Sequence, residues 1–536
     1  MNNNNVNNNN QQAAPYGPAP QAAAYGPVPQ GVTSTPQAAP YGAAPAPQTV
    51  SWGARFQRKE DIEVVNFREK MASKLGLASL IYAIFSTFCI YDNFTGVTMP
   101  FFGIASIIYM IYCLKLYNIK LKKLSFVYGG FIVALSLSNF LTGNGGFHFF
   151  NTVGIMLMIF IFLLHNVYDD SRWNFTKTTF AILEAMIFSV GEIDDFAKDM
   201  KVYRIRKNNS TAVSKKNYLR YILIGLLISV PVVAILLTLL SQADIVFNRF
   251  LSKYFSFNIS FIDIFGVLIT FCIFFFGSYC VLRFFSKKTI KEEVIAHKNF
   301  EPVIAITVLS IISLIYIVFS VIQIVYLFWG GMKLPEGYTY SQYAREGFFQ
   351  LLAVSIINFL MVLFVNKFFK ESTMLKVLMT VISLCTYIMI ASSFMRMCLY
   401  IDTYLLTRLR VFVLWALALL AILFVAVIIS IYKQNFPQFK YSIIIVGILY
   451  LLLAFARPDY IIADYNMSHI NNKELKKGVS ADYEYLTELS TDAAPIISQY
   501  DGQWVKDFYA NNTYFYKDRT LRQFNLSAYT AEITEK

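Results

Sequence analysis

The chain has 536 residues, of which 56% are hydrophobic and 17% aromatic, and its mean hydropathy is +0.49. Soluble domains average about 45–50% apolar residues, so the composition excludes an ordinary soluble protein and indicates a membrane protein. The formal net charge of +13 would suit nucleic-acid binding, but the basic residues lie in short segments between apolar runs. There they set membrane orientation and meet anionic lipid headgroups, so no nucleic-acid partner is expected.

The first part of the sequence is of low complexity. Residues 1–50 run from an Asn/Gln tract into Pro/Ala/Gln sequence, and a Tyr-Gly unit recurs at 15–17, 24–26 and 40–42. This segment has no charged residue and little aliphatic bulk to bury, which predicts a disordered tail. A passive flexible tail and a tyrosine-bearing docking tail both fit this prediction. Residues 51–74 then carry six Lys and Arg residues and are predicted to be a basic cytoplasmic juxtamembrane segment.

A transmembrane domain is predicted over 75–457. A bilayer core of about 30 Å needs about 20 apolar residues per helix, and continuous rather than alternating apolar runs favour helices over a barrel. The first run lies behind a long polar segment, which favours an internal anchor over a cleaved signal peptide. The eleven predicted spans are 75–91, 98–117, 124–142, 147–167, 219–241, 260–285, 302–328, 347–369, 374–399, 409–432 and 441–457.

The basic residues predict the orientation of these spans. The segments on one side of the alternating spans hold 30 Lys and Arg residues, and the loops on the other side hold seven. Because basic loops stay in the cytoplasm, the N-terminus is predicted to lie inside. With eleven spans, the C-terminus is predicted to lie outside.

The longest inner segment, 168–218, is predicted to be an amphipathic and basic insertion. Within 173–190, four apolar residues fall on one helical face: Phe180, Leu183, Ile187 and Val190. A helix in the plane of the membrane interface and a short helix buried against the bundle both explain this pattern. The acidic run that follows, Glu192, Asp194 and Asp195, is expected to be a solvated face.

Titratable residues also meet at the inner end of the fourth span. His165 and Asn166 end this span, and Asp169, Asp170 and Arg172 follow. A histidine with paired carboxylates can bind metal or shuttle protons. Since nothing places these groups at a fixed helical spacing, helix capping and snorkelling are the favoured interpretation.

No catalytic, metal or cofactor signature is recognisable. The sequence has no Walker loop, HExxH, GxSxG or dinucleotide fingerprint. Its six cysteines lie in or beside apolar runs without a CxxC spacing, so neither a zinc site nor a disulfide framework is expected. The cysteines are Cys89, Cys113, Cys272, Cys280, Cys385 and Cys398. No cofactor, no metal and no catalytic residue is therefore predicted.

Charged residues gather near the predicted outer ends of the spans. Charges at membrane depth are costly unless paired or hydrated, so a group with both signs at one level predicts a shared polar cap. Helix-end ion pairs and an outward-facing pocket for a polar or anionic ligand both explain such a cap. The candidate ligand-binding residues are Asp244, Asp263, Arg345, Glu346, Arg396, Tyr400, Asp402, Arg408, Arg410, Arg457 and Asp459.

Arg396 is the most informative of these candidates. It and Tyr400 are four residues apart and therefore share a helical face. Arg396 is predicted to lie about one turn inside the end of its span and to point into the bundle. A cation at that depth needs a carboxylate or a bound anion nearby, and Glu346 and Asp402 are the favoured partners.

Residues 458–536 are predicted to be a small helical extracytoplasmic tail. They include 12 acidic and 8 basic residues. Helices are predicted at 482–489 and 493–499, with Pro495 tolerated in a first helical turn. A segment of this length without cysteine is marginally stable alone, so the tail is expected to pack on the outer loops.

Several stretches carry a family resemblance. They are Ser241–Asp244 with Phe247, Tyr343–Leu351, Arg396–Arg410, and Arg457–Asn466 followed by Asp482–Tyr483 and Asp492–Pro495. These stretches resemble a bacterial polytopic membrane family known only as a domain of unknown function, the 4173 group with its relative, 4153. The resemblance covers about residues 120–500 and implies a bacterial envelope protein without a known reaction. The family has Gly where this chain has Leu405, which implies a different turn there.

These features together predict an all-α polytopic bundle of about 11 spans in the bacterial cytoplasmic membrane. A non-enzymatic envelope scaffold or sensor with an outward-facing polar cap is the favoured function. A transporter or flippase for a polar or lipid-linked solute is one alternative, and a membrane-embedded transferase is another. The expected partners are the lipid bilayer, anionic lipids at the cytoplasmic face, and an envelope protein or lipid-linked ligand at the outer face.

Overall fold

The described part of the chain is helical. The computed structural model describes residues 62–171, 173, 175–210, 240, 244, 247, 261–292, 298–325, 340–433, 436–471, 482–517 and 519–535, and it leaves out the side chains of 208–210, 261–262, 340–346 and 471. Within these ranges there is no strand, and the one β-bridge joins Phe300 and Phe369. This confirms the all-α prediction. The predicted tail at 1–50 and nearly all of the predicted span 219–241 lie outside the described residues.

The first half of the described chain contains seven named helices. Asn144 begins the fourth helix as its N-cap, since its side chain accepts hydrogen bonds from the backbone N–H groups of Gly146 and Phe147. The helices are α1 (Ile62–Ile90, with a π-helical turn at Met71–Leu75), α2 (Thr98–Leu116), α3 (Ser125–Leu141), α4 (Gly145–Val167), α5 (Phe175–Phe188), α6 (Ile193–Ser210) and α7 (Phe261–Lys287).

The second half continues with long apolar helices and ends in shorter ones. The long helices are α8 (Pro302–Ile324), α9 (Tyr340–Phe368), α10 (Thr373–Tyr404), α11 (Arg408–Tyr432) and α12 (Gln438–Phe455). The tail helices are α13 (Pro458–Asn471), α14 (Tyr483–Thr487), α15 (Ala494–Ile497), α16 (Gln503–Tyr516) and α17 (Leu526–Glu535). The predicted helices at 482–489 and 493–499 correspond to α14 and α15, whereas α13, α16 and α17 were not predicted.

Nine helices in the described residues are long and apolar enough to cross a membrane, namely α1, α2, α4 and α7–α12. The apolar helix α3 is shorter, with 17 residues. On α8, Val303 and Leu314 are 67% and 65% exposed, as expected where lipid rather than water covers the surface. Ten of the predicted spans therefore have a helix, while the number eleven stays a prediction.

The loops lie at two ends of the bundle, and successive loops alternate between these ends as the charge count predicts. At one end, Asn525 donates hydrogen bonds to the carbonyls of Thr95 and Thr142, which belong to two different loops. At the other end, Lys440 pairs with Asp170 at 3.0 Å. We call the first the outer end and the second the inner end, following the predicted orientation. Which end faces the cytoplasm stays a prediction.

The acidic run after α5 is not a solvated face, contrary to the prediction. Glu192 and Asp195 are 8% and 6% exposed, and of the run only Asp194 is exposed. Lys287 of α7 lies 2.8 Å from the Glu192 carboxylate and 2.6 Å from that of Asp195. Buried carboxylates need such partners, and the partner lies too far away in sequence for local composition to reveal it.

Asp199 extends this buried network to α1. Its carboxylate is 0% exposed and lies 2.8 Å from Arg68 of α1 and 2.9 Å from Arg283 of α7. The Tyr279 hydroxyl donates a further hydrogen bond at 2.8 Å. The network therefore joins α1, α6 and α7 at the inner end.

The groups around His165 cap helices and form ion pairs. His165 Nδ1 lies 2.8 Å from Asp170 Oδ2, and Lys440 pairs with the other oxygen of the same carboxylate. Lys122 Nζ donates to the carbonyls of His165 and Tyr168 at 2.5 and 2.6 Å, near the C-terminus of α4. These contacts are the helix capping that the sequence favours.

The inner helix α5 has two apolar faces. Ala181, Ile182 and Ala185 are buried against the bundle, whereas Phe180 and Ile187 are 64% and 65% exposed. The predicted apolar face is thus exposed, as an interfacial helix requires. Only the opposite face of α5, with Ala181, Ile182 and Ala185, is buried against the bundle as the alternative prediction required.

Candidate functional site

The outer end is closed by contacts between the tail and the loops of the bundle. We call this set of contacts the outer cap, and each of its elements comes from a different part of the chain. It consists of Thr95, Thr142–Asn144, Leu405–Arg410, Arg457–Asp459, Asn466, Ser490–Asp492 and Asn525. The tail therefore packs on the outer loops, as predicted.

An ion pair between Arg408 and Asp459 lies at the centre of the outer cap. Arg408 Nε and Nη2 donate to the two Asp459 oxygens at 2.8 and 2.7 Å, the two-bond geometry that a guanidinium and a carboxylate favour. Asp459 is 0% exposed and also accepts from Asn144 Nδ2 and the Ser490 N–H, each at 3.0 Å. Burial opposes ionisation, but the hydrogen bonds and charge of Arg408 lower the pKa of Asp459 overall. The carboxylate is thus fully engaged within the protein.

The turn between α10 and α11 has a glycine-type backbone although it contains leucine. Leu405 has φ 65° and ψ −178°, a region that is essentially restricted to glycine. Leu405 therefore adopts a backbone conformation that glycine prefers, while a difference from the turn of the family stays a prediction. Arg410 Nη1 donates to the carbonyl of Tyr404 at 2.5 Å and also to that of Leu405, and its guanidinium lies 4.3 Å from the Tyr400 ring centre. Arg410 thus stabilises the turn.

Asn466 of α13 fixes the next residue of the same turn. Its Oδ1 accepts from the Leu406 N–H at 2.8 Å, and its Nδ2 donates to the Leu406 carbonyl at 3.0 Å. This pair of bonds replaces the backbone partners that Leu406 lacks between two helices. Asn466 therefore connects the tail to the α10–α11 turn without using a charge.

Asp492 attaches the tail to the loop between α3 and α4. Its carboxylate is 2% exposed and accepts hydrogen bonds from the Thr142 hydroxyl and, at 2.9 Å, from the Gly143 N–H. Burial raises the pKa of Asp492, and the nearby Asp459 raises it further. A Cβ at Gly143 would lie 1.9 Å from Thr491 Oγ1, so only glycine permits this approach of the two segments.

The Asn525 side-chain amide lies within hydrogen-bond distance of three backbone carbonyl groups of the bundle. Its Nδ2 lies 2.9 Å from the Thr95 carbonyl, 3.1 Å from that of Asn139 and 3.0 Å from that of Thr142. These carbonyls follow or end helices and have no helical partner. Asn525 was not predicted, since an isolated asparagine in a polar tail carries no sequence signal.

Arg396 points into the bundle, as predicted. Its Nη2 lies 3.5 Å from Gln323 Oε1 of α8, and the same oxygen accepts from the Ser392 hydroxyl at 2.7 Å. A Cβ at Gly347 of α9 would lie 2.2 Å from Arg396 Nη1. The guanidinium therefore occupies the space that a glycine leaves between α8, α9 and α10.

The remaining candidates have other contacts. Arg457 donates to the Leu141 carbonyl at 3.3 Å. Asp263 accepts from the Tyr91 hydroxyl at 3.4 Å, and Asp244 accepts from the backbone of the residue three positions later. Asp402 is exposed. Arg345 and Glu346 belong to α9, but their side chains lie outside the described part of the chain.

The structure thus brings together two pairs of candidates, Arg408 with Asp459 within the outer cap and Arg410 of the cap with Tyr400 of α10. The sequence stretches that carry the family resemblance contribute these four residues and also Asn466 and Asp492. In the described residues, no group of three or more His, Cys, Asp or Glu side chains could hold a metal ion. The hydrogen bonds and the ion pair of the outer cap attach the tail to the bundle.

One family matches most of the chain. The family described as Domain of unknown function (DUF4153) matches residues 129–500, which is more than two thirds of the sequence and includes the resembling stretches. Of the two related families to which the resemblance pointed, the match is to 4153. No curated protein and no solved structure matches the chain. The chain is therefore an apolar helical protein of the multi-pass membrane type that belongs to the DUF4153 family.

Proposed function

We propose that this chain is a non-enzymatic scaffold or sensor of the bacterial cytoplasmic membrane, whose outer cap holds the folded tail toward the envelope. One observation carries the proposal: the charged residues of the outer cap bind each other and the backbone. Asp459 accepts four hydrogen bonds from within the protein, and Arg410 is bound to the α10–α11 turn. Charged groups that already bind other parts of the protein stabilise the position of the tail and have few free hydrogen-bonding sites left for a substrate.

The tail offers a surface of the kind that a partner protein contacts. Its interior is well packed, with Leu486 and Phe508 each 0% exposed. On its outside, Tyr514 and Leu521 are 84% and 91% exposed. Exposed aromatic and aliphatic side chains on a rigid support are typical anchors of protein interfaces.

The polar residues inside the bundle favour helix association over transport. The Tyr316 hydroxyl of α8 donates to Asn358 Oδ1 at 2.8 Å, and Asn358 Nδ2 donates to Thr386 Oγ1 of α10 at 2.9 Å. Such hydrogen bonds connect helices in membranes, whereas transport sites use broken helices or charges at mid-depth. A transferase would need converging outer carboxylates, and Asp244 and Asp402 are both exposed.

A reversible covalent bond across the outer cap tests this proposal. Thr142→Cys and Asp492→Cys, in a chain whose native cysteines are replaced by serine or alanine, place two thiols at positions whose side chains are in hydrogen-bond contact across the outer cap, within reach of a disulfide. A scaffold with a static cap should rescue the phenotype of a deletion strain equally well in the oxidised and reduced states. The two single-cysteine variants are the controls.

The opposite result would exclude a static scaffold, and a lipid-flipping assay then separates a moving sensor from a transporter. If oxidation abolishes rescue and reduction restores it, the cap must move during function. A second measurement is the flipping of headgroup-labelled lipid in proteoliposomes, followed by dithionite quenching. The scaffold proposal expects the rate of protein-free liposomes, and a faster protein-dependent rate contradicts it.

A further inference from the structure

An apolar groove opens on the side of the bundle between α1, α2, α4 and α7. Its volume is about 320 Å³. Along α2 it extends from Met99 to Met110, which is about 16 Å of helix and more than half of a bilayer core of about 30 Å. Met156 and Ile273 line it and are 53% and 64% exposed. The groove therefore opens laterally, toward the lipid that surrounds a membrane bundle.

The hydroxyl groups that line this groove are engaged within the protein. Tyr82 shares a hydrogen bond of 2.8 Å with Ser106, and Tyr109 shares one of 2.7 Å with Ser79. Ser106 also donates to the backbone of its own helix. Because these groups are satisfied, the groove offers a hydrocarbon surface, which suits an acyl chain and disfavours a polar solute.

A polar cleft lies on the other side of the loop at the outer end of the groove. It has a volume of about 420 Å³ and includes Lys517 and Arg519 of the tail. Phe94 lines the apolar groove, while the hydroxyl of the next residue, Thr95, accepts a hydrogen bond of 3.1 Å from Arg519. One short loop thus has a hydrocarbon site on one side and a cationic site on the other.

Arg519 is the cation of this cleft best placed to bind an anion. It lies 4.0 Å from the Phe515 ring centre and donates to the Gln523 carbonyl at 2.9 Å. Among the described residues no carboxylate pairs with it, whereas Lys517 lies 3.6 Å from Glu535. Burial lowers the pKa of Arg519 to about 10, and a bound anion would offset that cost.

We propose that the outer end of this chain binds an anionic phospholipid of the outer leaflet, with an acyl chain in the groove and the phosphate at Arg519. A guanidinium donates two parallel hydrogen bonds to a phosphate. Glu532 lines the same cleft and can accept hydrogen bonds from headgroup hydroxyls, so phosphatidylglycerol is the simplest lipid of this class. The inference does not rest on the proposed scaffold function, because a lipid can support either a static or a moving bundle.

The groove is tested by photolabelling of the full chain. The protein is reconstituted in phosphatidylcholine vesicles that contain phosphatidylglycerol with a diazirine in its acyl chain, and labelled peptides are mapped after illumination. A Cβ at Gly277, which lines the groove, meets nothing within 4 Å, so the side chain of Gly277→Leu starts in open space and takes up groove volume. Label is expected on α2 and α4 in the unmodified chain and should be lost in Gly277→Leu.

A matched control separates this effect from damage to the fold. A Cβ at Gly130 on α3 also meets nothing within 4 Å, and Gly130 is not among the groove residues, so Gly130→Leu should keep the label. Absence of label from α2 and α4 in the unmodified chain, or equal label in Gly277→Leu, overturns the proposal.

The headgroup site is tested by competition with unlabelled lipids. Arg519→Gln should lower the preference for phosphatidylglycerol over phosphatidylcholine by about fivefold, as expected for one cation at a membrane surface. The exposed Lys506 lies outside the cleft, so Lys506→Gln should leave the preference unchanged. An unchanged preference in Arg519→Gln contradicts the assignment, and competition by glycerol phosphate as strong as that by the lipid would assign the cleft to a free phosphate ester.

Discussion

Replacing Leu405 with glycine and, in parallel, with alanine separates the strain of its backbone from the packing of its side chain. The residue has φ 65° and ψ −178°, and a non-glycine residue held in such a region costs about 1–3 kcal/mol. Its side chain is 7% exposed and offsets that cost by packing. Both substitutions remove the packing, but only glycine removes the strain.

The expected difference follows from three terms. Truncation of a buried leucine costs about 2–5 kcal/mol, and both variants lose this amount. At an ordinary position glycine is about 0.5–1 kcal/mol less stable than alanine, because the unfolded glycine has more freedom. At Leu405 the relief of strain exceeds that penalty. With about 2 kcal/mol of strain against about 0.75 kcal/mol of penalty, the middle of each range, the glycine variant should be more stable than the alanine variant by about 1 kcal/mol.

The free energy of unfolding can be measured in mixed micelles with increasing dodecyl sulfate, followed by tryptophan fluorescence. Met397, inside α10 and 1% exposed, provides the matched control pair. There the glycine variant should be the less stable by about 1 kcal/mol. If glycine is also the less stable variant at Leu405 and by a similar margin, the turn is not strained and the argument fails.

The other predictions concern the carboxylates of the outer cap and the topology. Because burial raises the pKa of Asp492, its contribution to stability is fully present below the ordinary carboxyl value of 3.8 and is lost as pH rises through the raised pKa. Asp492→Asn should remove this dependence in unfolding measured from acid to neutral pH. Asp459→Asn should cost about 2–4 kcal/mol, and adding Arg408→Met should recover part of that loss; no recovery would contradict the ion pair. A reporter fused after Lys536 should be active outside and one after Lys207 inside, whereas exchanged signals would refute the eleven-span orientation.

The long helices of the bundle were predictable because hydropathy averages over many residues. Each apolar run that lies in the described part of the chain corresponds to a helix, although α1 and α9 begin well before their runs, at Ile62 and Tyr340. The helices α16 and α17 escaped prediction because a tail helix of 10 to 14 residues contains only a few apolar positions. Amphipathic periodicity over two or three turns is a weak signal.

Individual members of the candidate site were predictable, but their pairings were not. Charge near a span end singled out Arg408 and Asp459, yet 51 positions separate them. Asp492 and Thr142 are 350 positions apart, and neither was a candidate. Burial of Asp195 was missed for the same reason, since its partners lie on α1 and α7. Contacts of this kind depend on how helices assemble, which a single sequence does not reveal.

The distance along the chain between Asn525 and Thr95 has a consequence for biosynthesis. The two residues are 430 positions apart, and ribosomes add about 5–20 residues per second. The loop at Thr95 therefore waits on the order of tens of seconds for its hydrogen-bond donor. During that interval the Thr95 carbonyl lacks the hydrogen bond from Asn525. Chains whose synthesis stops before residue 525 would lack this contact altogether, so the outer cap distinguishes complete chains from interrupted ones.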